Sequence, residues 1–157
     1  MKKILLVLFL GVTVSMHKYE YKEYINIQDS FKDSSYVEIS YNGNSVFYYK
    51  GTHEYNCLLF EFEQILYNSY QVPALGVSLD EMVKEERKKD LWVEFNFNDL
   101  GYNSEMPFEA LLVKIENDAK GFNVIRKYDG KYDGRNFYIN LVGSNMSDLY
   151  MYLLSSV

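Results

Sequence analysis

Between Glu54 and Tyr70, apolar side chains recur at Tyr55, Leu58, Leu59, Phe62, Ile65, Leu66 and Tyr70, with Glu54, Glu61, Gln64 and Asn68 largely opposite. Spacings of three and four residues place such groups on one stripe of a helix, so the pattern predicts a core helix despite its β-favouring aromatics. Pro73 and Gly76 mark a break after it. Ser78 then stands three residues before Glu81, a capping-box spacing that predicts a shorter, polar helix running to about Lys89. Its acidic first turn and basic last turn complement the helix dipole.

Elsewhere the period is two. Asn42-Gly43 separates the runs Tyr36–Tyr41 and Ser45–Lys50, the signature of a tight β-hairpin. Leu91, Val93, Phe95 and Phe97 alternate with Trp92, Glu94 and Asn96, which predicts a strand with the first set in the core and Trp92 on the other face. After a loop over "NDLGYNSEMP", the segments "FEALLVKIEN", "FNVIRKY" and "RNFYINLV" extend it into a four-stranded meander, and Ser147-Asp148 opens a terminal helix over "LYMYLL". The segment "HKYEYKEYINIQD" reads as an edge strand or a docked arm. This order predicts an α+β fold. It has a mainly antiparallel sheet, an N-terminal hairpin plus a C-terminal four-stranded meander, packed with two to three helices on one face.

Lys-Tyr-Asp-Gly occurs at 127–130 and again at 131–134. Either Asp-Gly pair suits a two-residue turn, but a turn at Asp129-Gly130 alone sets Ile139 against Lys120, and one at Asp133-Gly134 alone sets Phe137 against Gly130. A loop from Asp129 to Gly134, closed at Tyr128 and Arg135, instead sets Val124 opposite Ile139 and Phe122 opposite Leu141 and keeps one apolar face. That register is the expected one. It presents Asp129, Tyr132 and Arg135 as candidate binding residues on an exposed loop of mixed polar and aromatic chemistry.

Composition narrows the function classes. With 157 residues, 48% hydrophobic and 24% charged, the chain fits one domain, taken as residues 16–157. A net charge of −6 repels phosphate backbones and argues against nucleic acid as a partner. In "MKKILLVLFLGVTVS", two lysines precede an apolar run from Ile4 to Val14, and Thr13 and Ser15 suit a cleavage site, so residues 1–15 read as a signal peptide. The run is short for a membrane span, which needs about 20 residues, and no integral span is expected in the mature form. Export implies a secreted or extracytoplasmic protein; a start at Met16 would instead give a cytoplasmic protein of immunity or inhibitor type.

Catalytic chemistry has few carriers. His17 and His53 are the two histidines and Cys57 the one cysteine, so a Cys/His nucleophile reduces to His53 and Cys57, four residues apart. These numbers also fall short of a structural zinc site, and no glycine-rich phosphate loop is present. No cofactor is implied. A glycosidase-type pair drawn from Glu94, Glu105, Glu109 and Glu116 is the alternative. Sixteen tyrosines among 157 residues favour a binding domain with a protein or glycan partner over an enzyme, with Tyr19, Tyr21 and Tyr24, Tyr48 and Tyr49, and Tyr128 and Tyr132 as clusters to test.

Overall fold

A computed structural model of the chain describes residues 21–23, 26–103 and 106–157. The amino-terminal segment read as a signal, with Tyr19, Tyr24 and Glu105, lies outside the described residues. In chain order the elements are β1 (Tyr21–Glu23), a 3-10 helix (Ile27–Asp33), β2 (Tyr36–Tyr41), β3 (Asn44–Tyr49), α1 (His53–Leu66), β4 (Tyr70–Ser78), α2 (Asp80–Arg87), β5 (Trp92–Asn103), β6 (Met106–Lys114), β7 (Gly121–Lys127), β8 (Gly134–Asn140) and α3 (Ser147–Leu154). The strands form one sheet in the order β3-β2-β5-β6-β7-β8-β4, with β1 parallel to the distal end of β5 and the other pairs antiparallel. The expected α+β class, hairpin, meander and terminal helix are all present.

Asn42 and Gly43 take φ values of 50° and 79°, the left-handed pair that a two-residue hairpin turn requires. The turn sets Tyr36 opposite Tyr49, Glu38 opposite Phe47 and Ser40 opposite Ser45, and β2 then pairs with β5, so the hairpin extends the meander. On one face of the sheet, Val37, Ile39, Val93, Phe95, Leu111, Val113, Phe122, Val124, Phe137 and Ile139 pack beneath α1, α3 and the 3-10 helix. From α1 come Tyr55, Leu58, Phe62 and Ile65, the stripe that the helical spacing predicts. Thr52 caps α1 by accepting the Tyr55 amide at 3.3 Å, which satisfies one of the free donors at a helix start.

The structure departs from the sequence expectations in four places. The helix predicted to reach Tyr70 stops at Leu66, and Asn68, at φ 65°, turns the chain into β4, an edge strand on β8. Pro73 and Gly76 do not break this strand, because they fall in a bulge between Val72 and Gly76 where the ladder is interrupted and a proline loses no paired amide. Secondly, α2 lies on the opposite face of the sheet from α1 and α3, so the sheet is covered on both sides. Val83 of α2 clusters there with Trp92, Leu112, Ile125 and Tyr132. Ser78 does not cap α2: the helix opens at Asp80, and the Ser78 hydroxyl lies 2.6 Å from the Tyr132 carbonyl and 2.9 Å from Asn136 Oδ1.

The third departure concerns the loop expected over 98–107, much of which is strand. β5 bulges between Asn96 and Gly101 and then resumes pairing with β6, Gly101 opposite Phe108. The fourth is the register of β7 and β8. Phe122 faces Ile139 and Val124 faces Phe137, two residues from the expected alignment. Asp129 and Gly130, at φ 50° and 71°, form a two-residue turn that bridges Tyr128 and Lys131. Tyr132 and Asp133 are then extra on the β8 side. A shift of two leaves every side chain on its original face, so continuity of the apolar face does not distinguish the two alignments.

Gly101 lets the bulge close on the core, since a Cβ there would lie 2.2 Å from the fully buried Phe108 ring. Gly101→Ala is expected to cost about 1–3 kcal/mol of overpacking, read as a lower urea midpoint at unchanged slope.

Candidate functional site

Of the eight residues of α2, all described, Val83 alone is buried. Burial of one valine contributes about 1.5–3 kcal/mol, a small apolar anchor for a helix on a sheet. Polar contacts supply the rest, and they converge on Glu94 of β5, a carboxylate 1% exposed. Arg87 Nη1 lies 2.8 Å from Glu94 Oε2, and Arg87 Nη2 lies 3.2 Å from Glu38 Oε2 on β2. The Tyr132 hydroxyl accepts from Arg87 Nη1 at 2.6 Å and donates to Glu94 Oε1 at 2.9 Å. Lys127 Nζ is 3.5 Å from Glu94 Oε1. Arg87 and Lys127 both stand over the Tyr132 ring, 5.5 and 5.4 Å from its centroid, within the range of cation–π attraction.

Electrostatics fixes the protonation of Tyr132 and Arg87. Burial, followed by the adjacent Glu94 carboxylate, pushes the Tyr132 phenol well above its ordinary pKa, so it remains a donor. For Arg87, burial favours the neutral form, but Glu94, Tyr132 and Glu38 outweigh it and raise the pKa. The cluster is therefore a structural clamp with its charges paired, closed at its outer end by the Ser45 hydroxyl donating to Glu38 Oε1 at 2.7 Å. Asp80 adds a second tie. Its Oδ1 accepts the Tyr132 amide at 2.9 Å, and its pKa is lowered, first by Lys84 and then by that amide.

Where α2 overhangs the hairpin, a groove of about 230 Å³ opens between Glu38, Ser40, Gly43, Asn44 and Ser45 on one side and Lys84, Arg87 and Lys88 on the other. The outer face of the hairpin continues from it into an aromatic patch. Phe47 and Tyr49 are 48% and 59% exposed, and the half-buried Tyr36 ring lies 6.3 Å from Phe47 and 5.9 Å from Tyr49. A second concavity of about 190 Å³ lies between the 3-10 helix and α1, walled by Phe31, Leu59, Phe62 and Leu66.

Of the three loop residues expected to make contacts, Asp129 and Arg135 are exposed, whereas Tyr132 is 4% exposed. Its ring fills the core beneath α2, because the two extra residues after the Asp129-Gly130 turn carry it inward. Asp129 serves the turn, and the Arg135 carbonyl accepts from Arg126 Nε at 3.0 Å. The three described glutamates of those considered for hydrolysis have separate partners: Glu94 is clamped, Glu109 accepts the Gly130 amide at 2.9 Å, and Glu116 pairs with Lys114 at 3.6 Å. His53 and Cys57 do meet, with Cys57 Sγ 3.5 Å from His53 Nε2 on the exposed start of α1, away from both concavities. Among the described residues, no three His, Cys, Asp or Glu side chains gather as a metal site, and no helix is long and apolar enough to cross a membrane. Alternation places Glu94 off the core face of its strand, and the polar pattern of the second helix puts Arg87 in its basic last turn; neither pattern gives the helix that covers the strand.

No family model matches the chain, and no curated protein or solved structure matches it either.

Removing one charge of the clamp strands the other. Arg87→Met is expected to cost about 3–5 kcal/mol because Glu94 stays buried, and Arg87→Met with Glu94→Leu to cost less than the sum of the single changes. Urea unfolding of the four proteins measures the coupling; strict additivity would contradict the clamp.

Proposed function

We propose that this protein is a non-catalytic binding domain whose partner is a protein, engaged through the outer face of the β2–β3 hairpin. The exposed pair Phe47 and Tyr49 carries the reading. Large aromatic side chains held out on a rigid strand, with an ion-lined groove beside them, match the makeup of binding hot spots: an aromatic anchor with a polar rim. The hairpin is well suited to hold them, because β2 is hydrogen-bonded on both edges and the core residues Val37 and Ile39 fix it to the sheet. Asp129 and Arg135 remain as a secondary polar contact at the far end of the sheet; the buried Tyr132 supports the loop from within.

The same reading keeps residues 1–15 as an export signal, supported by two lysines ahead of an apolar run and small residues at positions 13 and 15. An extracytoplasmic binding domain follows.

A photo-crosslinking residue at position 47 is expected to join the chain to a discrete partner, while the same residue at the exposed Met151 on α3 gives no such product. Phe47→Ala with Tyr49→Ala should abolish that partner's binding and change stability by less than about 1 kcal/mol. Equal crosslinking from both positions would contradict the surface. Fractionation of cells expressing the 157-residue chain, with intact mass of the product, tests the export signal: a form starting at Met16 outside the cytoplasm is expected, and a cytoplasmic product or retention of Met1 would contradict it.

A further inference from the structure

We propose, building on the binding-domain reading, that the groove between the hairpin and α2 receives an acidic side chain of the partner protein. The chain as a whole carries −6, yet the groove sets three cations, Lys84, Arg87 and Lys88, against the single carboxylate of Glu38. Glu38 shares Arg87 with Glu94 and accepts a hydrogen bond from the Ser45 hydroxyl, which leaves Lys84 and Lys88 as the remaining cations of the lining. Lys84 and Lys88 pair with Asp80, Glu81 and Glu85 of their own helix. The Lys84–Glu81 and Lys88–Glu85 pairs are exposed to solvent and screened by it, so an incoming carboxylate competes with them for both ammonium groups.

An independent feature lies at the inner end of the groove. Ser40, 6% exposed, lines it, and its hydroxyl has no hydrogen-bond partner among the described residues. Buried polar groups are ordinarily satisfied, and here the Ser40 hydroxyl stands unmet in a groove that the Lys84 and Lys88 side chains also line. The complement of that set is an acceptor carrying negative charge: a carboxylate. Its neighbours on the partner would be apolar, since the hairpin face next to the groove carries Phe47 and Tyr49.

Selection of random decapeptides displayed on phage against the full chain tests the assignment, with a glycan array run in parallel. The expected result is enrichment of peptides that combine Asp or Glu with apolar residues. Their affinity should fall about tenfold or more on Lys84→Glu with Lys88→Glu and weaken with added salt. Ser40→Ala should weaken the same peptides while leaving stability unchanged or higher, because it removes an unsatisfied hydroxyl. Enriched peptides without acidic residues, or ones that bind the reversed-charge variant equally well, would overturn the acidic-groove assignment. If those peptides still required Phe47 and Tyr49, the binding-domain reading would stand without it. Glycan binding with no peptide enrichment would overturn both.

Discussion

The attachment of one short helix to the second face of the sheet rests on the Arg87–Glu94 contact. α2 offers one buried apolar side chain, Val83, and without a further anchor its eight residues would be marginal as a helix. A buried carboxylate cannot stand alone either, since an unpaired charge in the interior is among the costliest features a fold can carry. Each solves the other's problem. Glu94 receives a guanidinium, a phenol and an ammonium, while α2 receives a fixed point on β5 and, through Glu38, a second one on β2.

Tyr132 joins this arrangement to the β7–β8 connection. Its hydroxyl completes the Glu94 shell, its amide binds Asp80 at the start of α2, and its carbonyl accepts from Ser78 at the end of β4. The tandem Lys-Tyr-Asp-Gly thus divides its labour: the first copy turns the chain, and the second sends a tyrosine inward under α2. The consequence reaches the surface, because the position of α2 defines one wall of the groove beside Phe47 and Tyr49. The polar cluster around Glu94 sets the shape of the proposed contact face.

Much of the first face was legible in the sequence. Phe62 and Leu58 sit on a helical stripe, Val93 and Phe95 on a strand alternation, and Asn42-Gly43 at a turn, and each pattern is local. The second face was not legible, because Val83, Trp92, Leu112, Ile125 and Tyr132 come from five separate segments and no local pattern brings α2 over the others. Glu94 and Arg87 carry no local sign of pairing until α2 is placed over β5. β4 was hidden by Pro73 and Gly76, which usually stop a strand but here occupy a bulge on an edge. The β7–β8 register was missed because a shift of two preserves the side-chain faces, and Tyr132 was therefore placed in solvent. Among the residues of the proposed contact face, Tyr49 stood out as part of a tyrosine pair; Phe47 and Ser40 gave no local signal.

The clamp is tested most directly by amide hydrogen exchange across α2 in the wild type and in Tyr132→Phe, which deletes one hydroxyl and keeps the ring. Protection of the Val83–Lys88 amides approaching that of the central strands is expected in the wild type. In the variant those amides should lose protection while β5 and β6 keep theirs. Identical α2 protection in the two proteins would contradict the account that the buried polar cluster holds the helix in place.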